Sequence, residues 1–279
     1  MHNLPLPTIN AHEVFDNIKN AKQDDTKNSL DNNREKVFSA YAYYSDNAPE
    51  FSNLSAVVFE DDVKAALRHT YTSSTVPLKF LKSYLKRRFL SKVCPSCGIS
   101  ESNSFDHYLP KEDYPEFSCL PINLVPCCLS CNSFKNSRIF DPITKKRIFF
   151  HPYYDRLPKA RFLDIEVEFL EDSVEVEFVI TQHNHMTADL TERLSSHFEK
   201  LNLSERYYEN GLFSIGSLLE ALVNFHQSGG ASLVSEELKK TAIDYKDKRG
   251  HNNWNYLLYW ALSENEEFCN GGFLTMQPK

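Results

Sequence analysis

Two cysteine pairs with the same spacing, Cys94-x-x-Cys97 and Cys128-x-x-Cys131, constrain this chain more than any other feature of it. Each pair sets two soft thiolates on one tight stretch of backbone, and two such pairs are the ligand set and spacing of a tetrahedral structural zinc site. A site closed by four thiolates has no open coordination position, so an ion there acts as a folding staple and does no chemistry. The chain has seven cysteines. An odd number, with four in two pairs, argues against a disulfide framework and for a reducing environment. Cys127 could compete for the ion, but Cys128 has the two-residue spacing to Cys131; Cys119 and Cys269 read as small apolar residues.

The remaining composition is that of an ordinary folded protein. Of 279 residues, 41% are hydrophobic and 25% charged, so a sizeable core is expected and general disorder is not. No apolar run approaches the ~20 residues needed to span a bilayer, and the start, MHNLPLPTINAHEVF, lacks the basic and apolar regions of a signal peptide. A soluble cytoplasmic protein without membrane contact is expected. The net charge of -7 conceals an asymmetry: from Val76 to Phe150 twelve basic residues face six acidic ones, +6, while the rest carries 19 against 32, or -13. A basic island around the cysteine pairs is the expected footprint of a polyanion contact.

Periodicity divides the chain into three. Val14, Phe15 and Ile18, then Val63, Ala66, Leu67 and Tyr71, recur at helical spacing, so residues 1–90 read as a helical N-terminal region, with polar Gln23 to Glu35 as a loop. Leu78, Leu81 and Leu85 share one face of a helix whose other face carries Lys79, Lys82 and Lys86. Residues 91–158 form the cysteine-bearing module. In 159–279, Leu163, Ile165, Val167 and Phe169 alternate with acidic residues, and Val174, Val176, Phe178 and Ile180 repeat the pattern, predicting a hairpin with an acidic outer face. Leu190, Leu194, Phe198 and Leu201, then Ile215, Leu218, Leu219 and Leu222, return to helical spacing. The fold class is therefore α+β.

Chemistry must come from what lies at and between the cysteine pairs. There stand Asp106, His107, Asn123, Asn132 and Lys135. A carboxylate and an amide oxygen are hard ligands suited to magnesium or manganese, and an imidazole titrating near neutrality can take a proton from water. These residue types are coherent as a phosphodiester-cleaving site. His151, in His151-Pro152-Tyr153-Tyr154-Asp155 just beyond, reads as structural, and Tyr153 and Tyr154 as core.

From Cys94 to Arg138 the chain resembles the HNH endonuclease family, in the order Cys94-x-x-Cys97, Asp106-His107-Tyr108-Leu109-Pro110, Asn123-Leu124, then Cys128-x-x-Cys131-Asn132-x-x-Lys135. The departure is Asn132, where many relatives carry histidine. The resemblance implies a ββα-metal module: one strand presenting Asp106 and His107, a second near Asn123, and a helix from about Ser130 carrying Asn132 and Lys135 on one face. By that likeness Asp106 and Asn132 would hold one Mg²⁺ or Mn²⁺, and His107 would activate water as general base. Asn123 would orient the catalytic loop, and Lys135 and Arg138 would contact substrate.

The implied activity is divalent-metal-dependent cleavage of DNA with low intrinsic sequence specificity, since such modules grip backbone and minor groove. The run of Cys94–Gly98, Asp106–Pro110, Asn123–Pro126 and His151–Asp155 further resembles HNH effectors of bacterial anti-phage systems, Septu-like and retron-linked, in which the nuclease is held by an ATPase. A regulatory protein partner is the corresponding expectation. The competing expectation is a zinc-dependent DNA-binding or adaptor protein without catalysis. A homing-type or restriction nuclease acting alone would need its own specificity element, and the acidic flanks offer none.

Overall fold

The computed structural model describes residues 1–51, 54–88, 92–170 and 173–276. It is a mixed helix and sheet protein with two small antiparallel sheets. The chain divides into two compact units, one of His2–Arg156 and the other of Leu157–Lys279.

The first unit opens with five helices. In α1 (Ala11–Asn20) the Asn10 side chain caps the free N–H groups of His12 and Glu13, and Val14, Phe15 and Ile18 are buried. Next comes α2 (Asp24–Asn32), within the polar stretch that the sequence reads as a loop. The loop expectation is corrected here: Leu30 is fully buried, and Asp24 and Asp25 favour the helix from its first turn. One apolar anchor on a polar segment carries too little periodicity to be read as a helix, and its neighbours supply the rest of the stabilisation.

Then follow α3 (Arg34–Asn47), α4 (Asp61–Thr72) and α5 (Val76–Arg87). As the spacing predicts, Leu78, Leu81 and Leu85 are the buried face of α5, while Lys79 and Lys86 are exposed and Lys82 half-buried.

These helices and the cysteine-bearing segment share one core. Strand β1 (Ser104–His107) pairs antiparallel with β2 (Leu124–Cys127), Ser104 opposite Cys127 and His107 opposite Leu124. Most of the connection between them, residues 108–123, is buried, with Glu112 and Asp113 exposed. Tyr44 of α3 packs edge-on against its Phe117 at 5.0 Å and tilted against Phe51 at 4.9 Å. Strand β2 runs directly into α6 (Leu129–Lys135), capped by the Cys128 sulfur and ended by Asn136 at φ 51°. Asp106 and His107 thus sit at the end of β1, Asn123 at the end of the long connection just before β2, and Asn132 and Lys135 on α6.

In the second unit, β3 (Leu163–Leu170) and β4 (Ser173–Ile180) form the expected hairpin. Glu166 faces Glu177 and Glu168 faces Glu175 across the ladder, all four exposed, while Val174, Val176 and Phe178 are buried. Helices α7 (Ala188–Lys200), α8 (Leu203–Arg249), α9 (Trp254–Glu264) and α10 (Glu266–Cys269) follow. Helix α8 breaks at Gly230, whose φ of 63° is a conformation that a side chain would resist. Among the described residues no helix is long and apolar enough to cross a membrane.

Candidate metal centre and cleft

The four paired cysteines meet. Cys94, Cys97, Cys128 and Cys131 are all buried, with their sulfurs within 4.8 Å of one another. A metal held at about 2.3 Å by four sulfurs in a tetrahedron sets those sulfurs roughly 3.8 Å apart, and Cys97 and Cys128 stand 3.8 Å apart. Local backbone prepares both pairs. Gly98, at φ 70°, turns the chain so that its N–H reaches the Cys94 carbonyl at 2.8 Å. The N–H groups of Ile99 and Cys131 then point at the sulfurs of Cys97 and Cys128, each at 3.4 Å.

Hydrogen bonds from Cys128, Cys131 and Cys94 hold the Cys97 thiol far below its usual range. Cys128 is lowered to about 6, chiefly through Cys131. The same mutual hydrogen bonds raise the thiols of Cys94 and Cys131, so two of the four sulfurs lean toward the thiolate, the form that binds metal. Cys127 is outside it: its sulfur lies 3.3 Å from the Ser104 hydroxyl, and burial pushes its thiol up to about 12. Cys119 and Cys269 are buried, as expected.

Beside this cluster lies a cleft of about 520 Å³, lined among others by Tyr71, Asp106, His107, Asn132 and Asn136. Adjacent residues on a strand project to opposite faces, yet Asp106 and His107 at the end of β1 both line the cleft. Asn132 reaches it from α6, and its side-chain amide makes no hydrogen bond among the described residues.

His107 is oriented by two contacts. Its Nε2 is 2.9 Å from the carbonyl oxygen of Ser118, which can only accept, so Nε2 carries the proton and Nδ1 the lone pair. Its ring meets that of Tyr71 edge-on at 4.3 Å. Burial lowers its pKa to about 4, partly opposed by the Ser118 hydrogen bond.

Asp106 is buried, which pushes its carboxyl up, and the Lys135 ammonium pulls it back. Lys135 Nζ is 3.0 Å from Asp106 Oδ1 and 3.1 Å from the His107 carbonyl oxygen. Lys135, read from the resemblance as a substrate contact, is thus a buried cation beneath the dyad and does not line the cleft. The reason is reach: at the last turn of α6 its stem spans to the carboxylate on β1, and a desolvated carboxylate holds an ammonium more strongly than open solvent does. Arg138 is exposed, its guanidinium bonded to the Phe134 carbonyl and 6.0 Å from the Phe149 ring.

Asn123 is fully buried away from the cleft and clamps the loop between the strands. Its Oδ1 accepts from the Leu109 N–H at 2.8 Å, and its Nδ2 donates to the carbonyls of Leu109 at 3.0 Å and Phe117 at 3.2 Å. The Tyr44 hydroxyl, 3.3 Å from Asn123 Oδ1, is also 3.3 Å from His151 Nε2. His151 is therefore structural, as its sequence context suggests: its backbone N–H bonds to the Asp155 carboxylate at 2.7 Å, and Asp155 pairs with buried Arg147, itself 3.1 Å from the Tyr108 hydroxyl.

Sequence reasoning passed over Tyr71, Ser118 and Asn136. Tyr71 reads as one more apolar position of a helix, and Ser118 contributes only backbone, which no side-chain pattern reveals.

No family model matches the chain, and no solved structure matches it. It is similar to Protein ea31 of Escherichia phage lambda, 28% identical over 191 residues. That match covers 64% of this chain and 64% of the phage protein's length. The name ea31 states no activity, so no chemistry transfers from it.

Proposed function

We propose that the chain is a divalent-metal-dependent endonuclease that hydrolyses DNA phosphodiester bonds with little sequence readout. The observation that carries this reading is the convergence of Asp106, His107 and Asn132 on one cleft, with His107 tied at Nε2 and its Nδ1 left to take a proton. The four cysteines hold zinc as a staple that fixes β2 and α6 beside β1. Asp106 and Asn132 would hold Mg²⁺ or Mn²⁺; a carboxylate and an amide oxygen suit a hard cation that keeps most of its waters. When bound, that cation would neutralise charge developing on the phosphate and the leaving oxygen.

The chain's own part is positional. His107 Nδ1 accepts a proton from the attacking water, and the Ser118 carbonyl keeps the imidazole in the tautomer able to do so. Asn123 holds the loop that carries Ser118 at a fixed distance from β1. Lys135 steadies Asp106 and lowers the cost of a buried carboxylate before any cation arrives.

The motif order supports a role as a regulated anti-phage effector with a protein partner such as an ATPase. The second reading, a zinc-dependent DNA-binding or adaptor protein, draws on one observation: Lys135 already neutralises Asp106. Incubating wild-type and His107→Ala protein of verified zinc content with supercoiled plasmid, with and without Mg²⁺ or Mn²⁺, separates the two. Metal-dependent nicking abolished by the substitution supports the nuclease. Plasmid binding that no divalent metal converts to cleavage, alone or with co-purified neighbours, supports the adaptor.

A further inference from the structure

Helix α5 lies outside the two strands and helix of the motif, yet two of its lysines reach rings of the cleft wall. Lys86 Nζ sits 5.5 Å from the ring of Phe105, and Lys82 Nζ sits 3.9 Å from the ring of Tyr71, whose edge rests on His107. Phe105, Tyr71 and His107 all line the cleft. Lys82 and Lys86 are one helical turn apart, roughly 6 Å along the axis, so one ammonium stands by Tyr71 and the other by Phe105.

The charge balance at this edge favours an anion. Glu112, which also lines the cleft, is offset by Lys111 at 2.7 Å and Arg68 at 3.5 Å. Neither Lys82 nor Lys86 has a carboxylate within ion-pair distance among the described residues. Half-burial and its neighbour Lys86 make the Lys82 charge costly to hold alone, and burial pushes its pKa down. Lys82 is half-buried with its ammonium over the Tyr71 ring of the cleft wall, while exposed Lys86 is anchored by a hydrogen bond to the Asn103 carbonyl at 3.3 Å, beside Phe105.

We infer that Lys82 and Lys86 of α5, with Tyr71 as the spacer between Lys82 and His107, form the track that grips the phosphate backbone of the nucleic acid entering the cleft. This rests on the nuclease reading. It adds a substrate contact from the helical flank, and it gives that flank a task other than scaffolding. Two consecutive backbone phosphates seated on Lys82 and Lys86 lead the strand past Asp106 and His107. The contact is to backbone alone, which fits cleavage without sequence readout.

The test is the salt dependence of binding, which needs no cleavage. Full-length His107→Ala protein, without added divalent metal, is titrated into a fluorescent oligonucleotide over a range of salt. The same is done with Lys82→Gln and Lys86→Gln added. Each phosphate contact removed should lower the slope of log affinity against log salt by about 0.9 on duplex or 0.7 on single strand, so the pair should lose about 1.8 or 1.4. Lys82→Arg with Lys86→Arg should keep the slope, and so should Lys239→Gln with Lys240→Gln, which removes the same charge elsewhere. An unchanged slope in the Gln pair, with zinc content and melting temperature as in the parent, overturns the track and leaves the nuclease standing. A parent that binds no nucleic acid overturns both.

Discussion

The imidazole of His107 donates from Nε2 to the carbonyl oxygen of Ser118 at 2.9 Å, so a backbone group eleven residues away decides which nitrogen can act as a base. The loop bearing Ser118 is in turn closed by Asn123. The proposed chemistry therefore depends on a piece of backbone that no side-chain motif names.

For His107 itself the expected result of His107→Ala is a loss of plasmid cleavage on the order of 10²- to 10⁴-fold, the usual worth of a general base. Zinc content, measured by elemental analysis, should stay that of the parent, since the four sulfurs lie elsewhere. A loss under tenfold would mean that another group takes the proton.

The two neighbouring cysteines should behave oppositely. Cys128→Ser removes a sulfur from the cluster and should abolish stoichiometric zinc and lower the melting temperature, while Cys127→Ser should keep the metal. Retention of zinc by Cys128→Ser together with its loss from Cys127→Ser would reverse the assignment.

Breaking the ion pair between Lys135 and Asp106 leaves a buried carboxylate uncompensated, which costs roughly 3 kcal/mol, or on the order of 10 °C in Tm for a unit of this size. Lys135→Met should show that loss in thermal unfolding, and Mn²⁺ should recover part of it by taking the place of the ammonium at Asp106. Adding Asp106→Asn should remove both the loss and the recovery. Mn²⁺ that stabilises the double variant equally would place the cation elsewhere.

The core histidine gives the fold a pH dependence. Burial, opposed by Asp155, lowers the pKa of His151 to about 3, from an ordinary value near 6.5. Between these values the unfolded chain binds a proton that the folded chain does not. The contribution to stability is therefore full above about pH 6.5 and is lost as the pH falls toward 3, by up to about 1.4 kcal/mol per pH unit. Urea unfolding at pH 7.5 and 5.0 should differ by about 2 kcal/mol more in wild type than in His151→Gln, which can still bond to Tyr44. An equal pH effect in both proteins would remove His151 as the source.

Some of this protein follows from the order of its residues alone. Two-residue spacing brings each cysteine pair together locally, the leucines of α5 repeat every turn, and alternation along Leu163–Leu170 and Ser173–Ile180 makes a hairpin. Each is a relation between near neighbours, and near neighbours keep their geometry whatever the rest of the chain does. The tertiary structure decided the remainder: that the polar segment Asp24–Asn32 is a helix, that Lys135 turns to Asp106, that Tyr71 lines the cleft with Lys82 over its ring, and that Ser118 sets the tautomer of His107. In each case the deciding partner comes from another element or across a long loop. Desolvation there makes an ammonium, a ring or a carbonyl the best available neighbour, and desolvation is a property of the packed whole, which periodicity along the chain does not express.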